Sequence, residues 1–286
     1  MDRNTLKTTF LLTLLAAIFV GLGSIFGRVG ILVGLAVALV FTFGSYWFSD
    51  TVAIRAARAV EVSPQQMPEY YAIVQELCAR AGLPMPRLYV TPDLQPNAFA
   101  TGRNPSHAAV AVTQGLLQLC SWDEIRGVLA HELSHVRNRD ILIASVAATV
   151  AMAITLLARM AAWGGLLFSQ GSRREEGENI FELLALVILA PLAATLLQLA
   201  LSRSREFEAD RSGARLIGDG EPLARALLKL DTYGRQIPMN VPKEMAGLFI
   251  ANPLAGGRGS SFARWFSDHP PTPERIARLR SQEWAR

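Results

Sequence analysis

Acidic residues are nearly missing from four long stretches of this chain, cysteine is almost absent throughout, and histidine occurs only four times in 286 residues. Each scarcity excludes something. Cys78 and Cys120 lie far apart, with no Cys-x-x-Cys pair, so neither a disulfide framework nor a cysteine-rich metal cage is expected. Both read as reduced, buried thiols. The 28 basic residues exceed the 24 acidic ones by little, leaving a net charge of +4, and no basic run is interleaved with aromatics. A nucleic-acid partner is therefore not expected. Hydrophobic residues make up 51% of the chain and charged ones 18%. Their gathering into charge-poor blocks, instead of a spread at helical or alternating period, points to a membrane.

Leu6 to Phe26 carries only Lys7, and Val29 to Phe48 carries no charge, ending in the interfacial aromatics Tyr46 and Trp47. At about 1.5 Å per helical residue either stretch can cross a hydrocarbon core of about 30 Å, so the pair reads as a helical hairpin broken near Arg28 and Gly30. A cleaved signal peptide is the weaker reading of the first, whose apolar part is long for one. Ile141 to Phe168, interrupted by Arg159, and Ile180 to Leu201, with Glu182 at its edge and a kinking Pro191, are candidate third and fourth spans. They could instead be helices buried in a soluble protein.

Between and after these blocks the composition is that of a soluble domain. Met67 to Ala81 and Trp122 to Val136 have helical spacing, the second opened by Ser121 with Glu124 three residues on, a capping box. Arg87 to Val90, Ala98 to Ala100 and His107 to Val112 read as strands of a small sheet. Beyond Ser202 come a polar helix through Arg215, an amphipathic one from Pro222, an irregular region from Ile237 to Ser261, and a last helix after Pro273.

His131-Glu132-Leu133-Ser134-His135 lies on the predicted helix from Trp122. Side chains four apart share a helical face, so both imidazoles can reach one zinc ion at about 2.0–2.1 Å, with Glu132 beside it as a base for an attacking water. Average composition produces such a pattern in roughly one chain of this length in a hundred, so a third ligand is needed. Glu206 and Asp210, in Glu206-Phe207-Glu208-Ala209-Asp210, again share a face. One could bind metal while the other orients a ligand. The competing reading is a solvated charge cluster flanked by Arg203, Arg205 and Arg211.

Taken in order, the spans, His131 to His135, two more apolar segments and Ser202 to Asp210 resemble the HtpX family of membrane metalloproteases, relatives of the CAAX prenyl proteases. The resemblance covers essentially the whole chain. It implies Glu206 as third zinc ligand and Asp210 beside the site. Asn97-Ala98-Phe99-Ala100, followed by Val110 to Leu117, is similar to the family's strand pair at the cleft, where an extended substrate adds as a strand and Asn97, Ala98 and Phe99 would bind it. His269 in Asp268-His269-Pro270-Pro271, ahead of Arg275-Ile276, is similar to the family's C-terminal His-Pro segment, which implies an oxyanion contact. His107 has no motif and reads as structural.

The expected fold class is α+β and mainly helical: a zincin-like metalloprotease domain with a small β-sheet, combined with about four transmembrane helices. The expected division is a hairpin at 1–50, a first catalytic part at 51–140, a second helix pair at 141–201 and a second catalytic part at 202–286. Arg3, Lys7, Arg55, Arg58, Arg203, Arg205 and Arg211 outvote Arg28, Arg173 and Arg174 and place the soluble parts in the cytoplasm. A mitochondrial inner membrane would need a targeting segment, and none precedes Leu6; the resemblance implies the inner cell membrane. The resemblance implies one Zn2+ per chain, membrane or misfolded proteins as substrates, a role in stress response, and other quality-control proteases as partners. Two alternatives stand beside it, a CAAX-type prenyl endopeptidase and a non-catalytic metal-binding scaffold.

Overall fold

A left-handed Gly27, at φ +73°, starts the second of two antiparallel apolar helices, α1 (Arg3–Ser24) and α2 (Gly27–Ala56). The computed structural model describes residues 3–24, 27–168, 203–254 and 270–285. Glycine lets the two helices touch backbone to backbone: a Cβ on Gly34 would stand 2.4 Å from the Phe19 carbonyl oxygen, and one on Gly23 2.2 Å from that of Gly30. Away from this seam, Val29, Leu32, Leu39, Val40, Phe43 and Phe48 are more than half exposed, an apolar face too large for a solvated helix.

Among the described residues α2 is the one single helix that by length and composition could cross a membrane; at about 1.5 Å per residue it runs about 45 Å. Its C-terminal turns continue past the predicted end at Phe48. The apolar part of α1, Thr8–Gly21, is shorter. The predicted third span forms a helix, α6 (Asp140–Phe168), whose stretch Asp140–Thr155 is long and apolar enough to cross a membrane only together with the preceding helix, from which it is bent by 86°. The fourth, Ile180 to Leu201, lies outside the described residues.

Four strands, β1 (Val60–Glu61), β2 (Arg87–Thr91), β3 (Ala98–Gly102) and β4 (Ala108–Thr113), form a mixed sheet in the order β1-β2-β4-β3. β2 and β4 pair in parallel, with Leu88 opposite Val110, while β1 and β3 join as antiparallel edges. Two-residue β1 is too short to show alternation and went unpredicted. The short helix α4 (Gln114–Leu119) replaces the strand continuation expected up to Leu117, because the Thr113 hydroxyl accepts from the Leu116 amide and caps a helix there.

Alternation sorts the sheet's side chains into two cores. Leu88, Val110, Val112 and Ala98 pack against α3 (Pro68–Ala81) and α5 (Trp122–Arg137), while Tyr89, Ala109, Ala111 and Phe99 pack against Ala53 and Ile54 of α2 and Ile143, Val146 and Val150 of α6. The apolar helices thus seal the second face of the sheet. Arg87 Nη2 to Asp50 Oδ2 at 2.8 Å, Arg58 to Asp93 at 2.9 Å, and Arg103 stacked 4.6 Å over Trp47 fix α2 to its rim.

The α5 helix starts with the predicted capping box: Ser121 Oγ accepts from the Glu124 amide, and Glu124 Oε2 from the Ser121 amide. Ser121→Ala should lower stability by about 1 kcal/mol, read as a small drop in Tm with the turnover number unchanged. Among the described residues, three further helices follow, α7 (Arg203–Ile217), α8 (Glu221–Gly234) and α9 (Thr272–Arg280). The region predicted as irregular from Ile237 contains a 3-10 turn, Lys243–Leu248, followed by Phe249, which pairs with Phe99 on the outer edge of β3.

Candidate active site

Helix periodicity puts His131 and His135 one turn apart on α5, and their Nε2 atoms face each other at 3.2 Å. α7 crosses α5 closely because Gly213 has no side chain; a Cβ there would stand 3.0 Å from the His131 amide nitrogen. Two turns earlier on α7, Glu206 reaches the same point, with Oε1 3.4 Å from His135 Nε2 and Oε2 3.9 Å from His131 Nε2. Four-coordinate zinc with bonds of about 2.0–2.1 Å holds its ligand atoms roughly 3.3–3.4 Å apart. Two nitrogens and one carboxylate at these separations fit such an ion, and these three residues form the His/Cys/Asp/Glu cluster found among the described residues.

Each imidazole is held from behind by a carboxylate. His131 Nδ1 lies 2.9 Å from Asp210 Oδ1, and His135 Nδ1 3.3 Å from Asp140 Oδ2. A proton on each Nδ1 leaves each Nε2 lone pair turned toward Glu206. Arg139, left-handed at φ +57°, makes the sharp break between α5 and α6 that returns Asp140 onto His135. On the far side of Asp210, Arg275 of α9 donates from Nε at 2.8 Å to Oδ2 and from Nη2 at 2.7 Å to Oδ1.

This crowding displaces the ionisations. Burial would raise Asp210, but Arg275 and His131 outweigh it and hold the carboxyl at about 2. Burial lowers His131 against the pull of Asp210. For His135, burial, which lowers it, is overcome by the hydrogen bonds to Asp140 and Glu206, which raise it. Glu132, 2% exposed, is raised to about 7, chiefly by burial and further by Glu206, while His135 and Arg275 oppose.

Ala100, Ile141, Leu248 and Phe249 close around Glu132 and Glu206, leaving a cavity of about 40 Å³. At about 10–15 Å³ for each water that is room for a few solvent molecules. The expected substrate edge is covered by the chain itself. Ile250 donates to the Ala98 carbonyl at 3.0 Å, while the Asn97 side chain donates to the Ala251 carbonyl at 2.9 Å and accepts from its amide at 3.2 Å. Phe99 and Phe249 meet edge to face, centroids 4.9 Å apart.

The structure therefore brings together His131, Glu132, His135, Glu206 and Asp210, and places Asn97, Ala98 and Phe99 on the adjoining edge. His269 lies outside the described residues. His107 bonds Asn104 at 2.9 Å away from the site, and Cys78 and Cys120 are free, buried thiols. Sequence reasoning missed Asp140, Arg275 and Gly247 to Ile250. The acid placed just past the helix end after His135 was a usable signal for Asp140. Arg275 stood only as the flank of the His269 segment, with no role, and nothing local marked Gly247 to Ile250.

Two imidazoles from one helix, a carboxylate from a second and a buried glutamate beside them are the equipment of a metallopeptidase. The profile of peptidase family M48 matches residues 64–283, well over half of the chain, and the chain belongs to this family. It is similar to the Protease HtpX homolog of Desulforapulum autotrophicum, 49% identical over 279 residues that cover 97% of this chain and 89% of that protein. It is likewise similar to the Protease HtpX homolog of Syntrophotalea carbinolica, 51% identical over 278 residues, 96% of this chain and 98% of that protein. Among solved structures, the crystal structure of S. mikatae Ste24p shares the fold, with a TM-score of 0.51 at 19% identity. That match covers 95% of this chain, which spans 65% of the Ste24p chain. The protein is a metalloprotease.

Proposed function

We propose that this chain is a multi-pass zinc endopeptidase of the inner cell membrane, cutting membrane or misfolded proteins from the cytoplasmic side. The observation that carries the zinc assignment is the spacing of His131, His135 and Glu206 around one point, each imidazole backed by its own carboxylate. The four-span division, with catalytic parts at 51–140 and 202–286 on one side, draws support from the long exposed apolar face of α2 and from the basic residues flanking the spans. Bound zinc would supply Lewis acidity toward water and the scissile carbonyl. Glu132 takes the proton of the attacking water and returns it to the departing amine. Asp210 and Asp140 hold the imidazoles in the required tautomer. His269 is assigned to the oxyanion by resemblance.

Substrate pairing with Asn97, Ala98 and Phe99 requires residues 249–251 to leave the β3 edge, because an extended peptide and this segment compete for the same backbone groups. Removing the edge-to-face contact with Phe99 loosens the segment. Phe249→Ala should raise kcat/KM on short unfolded peptides several-fold while lowering Tm. Unchanged kcat/KM in zinc-replete protein would show that the segment does not bar entry.

The function is tested by metal content and proteolysis of an unfolded membrane protein, with and without chelator, in detergent-purified protein. A prenylated peptide cleaved in preference would move the assignment to the CAAX-type endopeptidase; the Ste24p likeness, being one of fold, does not favour it. Zinc held without proteolysis would leave the scaffold reading.

A further inference from the structure

We propose that Arg275 is a positioning residue for the metal ligands, acting through Asp210 on His131; the proposal rests on the reading of the site as a zinc centre. Arg275 is 2% exposed, and a guanidinium so deeply buried is costly to bury unless its donors are satisfied. They are satisfied in a specific way. Nε and Nη2 grip the two oxygens of Asp210 at 2.8 and 2.7 Å, and Nη1 donates to the Ile250 carbonyl at 3.0 Å. Nη2 also lies 3.5 Å from His131 Nδ1, and Nη1 3.7 Å from Glu206 Oε2.

The two-pronged grip matters because Asp210 Oδ1 has a second duty, lying 2.9 Å from His131 Nδ1. A planar fork admits one orientation of the carboxylate plane, so the guanidinium decides where that oxygen sits and hence how the imidazole is turned. A lysine ammonium has one point of charge and cannot set the plane. Ile250 anchors the third donor, and since it pairs with β3 the fork is referenced to the sheet as well as to α7.

Electrostatics alone does not account for this placement. A fixed positive charge within reach of His131 and Glu206 repels a divalent ion at the same ligands and by itself weakens metal binding. Orientation works the other way: partners that orient a metal-bound histidine typically alter affinity roughly 10–100-fold. The proposal is that orientation prevails.

The test is the rate of zinc release to a chromogenic chelator from full-length, zinc-loaded protein in detergent. Arg275→Lys keeps the charge and removes the fork; Arg275→Met removes both. Each should release zinc roughly 10–100-fold faster than the parent. With Asp210→Asn already present, Arg275→Met should add less than about twofold, because residues acting through one contact are not additive. Circular dichroism and apo-protein melting report folding separately, and Arg275→Lys carries the test should Arg275→Met fail to fold. Zinc release from Arg275→Lys at the parent rate, or Arg275 and Asp210 effects that multiply, overturns the proposal. A lowered apo Tm with parent zinc release overturns it too, by making the role structural. If the parent itself holds no zinc, the functional reading fails instead.

Discussion

Glu132→Gln should leave the zinc content of the purified protein intact and reduce peptide turnover by about 10²–10⁴-fold, the range in which a positioned general base contributes. The side chain is isosteric, so the packing against Ala100 and the neighbouring cavity walls is retained, and only the capacity to accept a proton is lost. Glu132 is not one of the clustered donors His131, His135 and Glu206, which is why metal content and turnover separate in this variant. The pH profile carries the same information. With the carboxyl raised to about 7 by burial, base function falls as pH drops through that value. A cation bound beside it favours the ionised form and shifts the acid limb of kcat/KM below pH 7 in the zinc-loaded enzyme. The limb should vanish from the residual activity of Glu132→Gln. Turnover within about twofold of the parent would remove Glu132 from the mechanism.

Glu206→Ala should weaken zinc binding by more than about 100-fold, beyond what removal of an orienting partner does, because a direct donor is lost. Two imidazoles remain, too few to hold a hydrolytic zinc against a chelator. Stability changes with it. Metal present at about 100 times its dissociation constant adds about 2.7 kcal/mol to the folded state, and the zinc-dependent rise in Tm seen in the parent should disappear. Glu208, exposed on the same helix and paired with Arg211 at 3.9 Å, supplies the control. Glu208→Ala should keep both zinc and activity. Equal zinc retention in the two variants would end the case for Glu206 as a ligand.

Much of the fold was legible because it is locally encoded. Ser121 and Glu124 mark the start of α5, apolar spacing marks α3, and charge-poor blocks mark α1 and α2. Apolar runs between turn residues marked β2, β3 and β4 but not two-residue β1, and they gave no warning that the Thr113 hydroxyl would turn the chain into α4. Local reading also ended the second apolar block at Phe48, since Ser49, Asp50 and Thr51 are polar. In the structure α2 runs on to Ala56, with Ser49 and Asp50 buried and the Asp50 carboxylate paired with Arg87 of β2.

The site divides along the same line. His131, Glu132 and His135 needed only one helical turn, and their spacing pointed to metal-binding chemistry on this helix without by itself deciding it. Glu206 was ambiguous as a sequence feature and drew its meaning from resemblance. Whether its carboxylate arrives at the imidazoles depends on Gly213 letting α7 lie against α5. Asp140 depends on one left-handed residue, Arg139. Arg275 and the segment from Gly247 to Ala251 come from distant parts of the chain. Helix period and capping act over a few residues and are written in adjacent side chains. Close approach, burial of a charge and the covering of a strand edge are properties of surfaces that meet only after folding, and tertiary packing alone decided them.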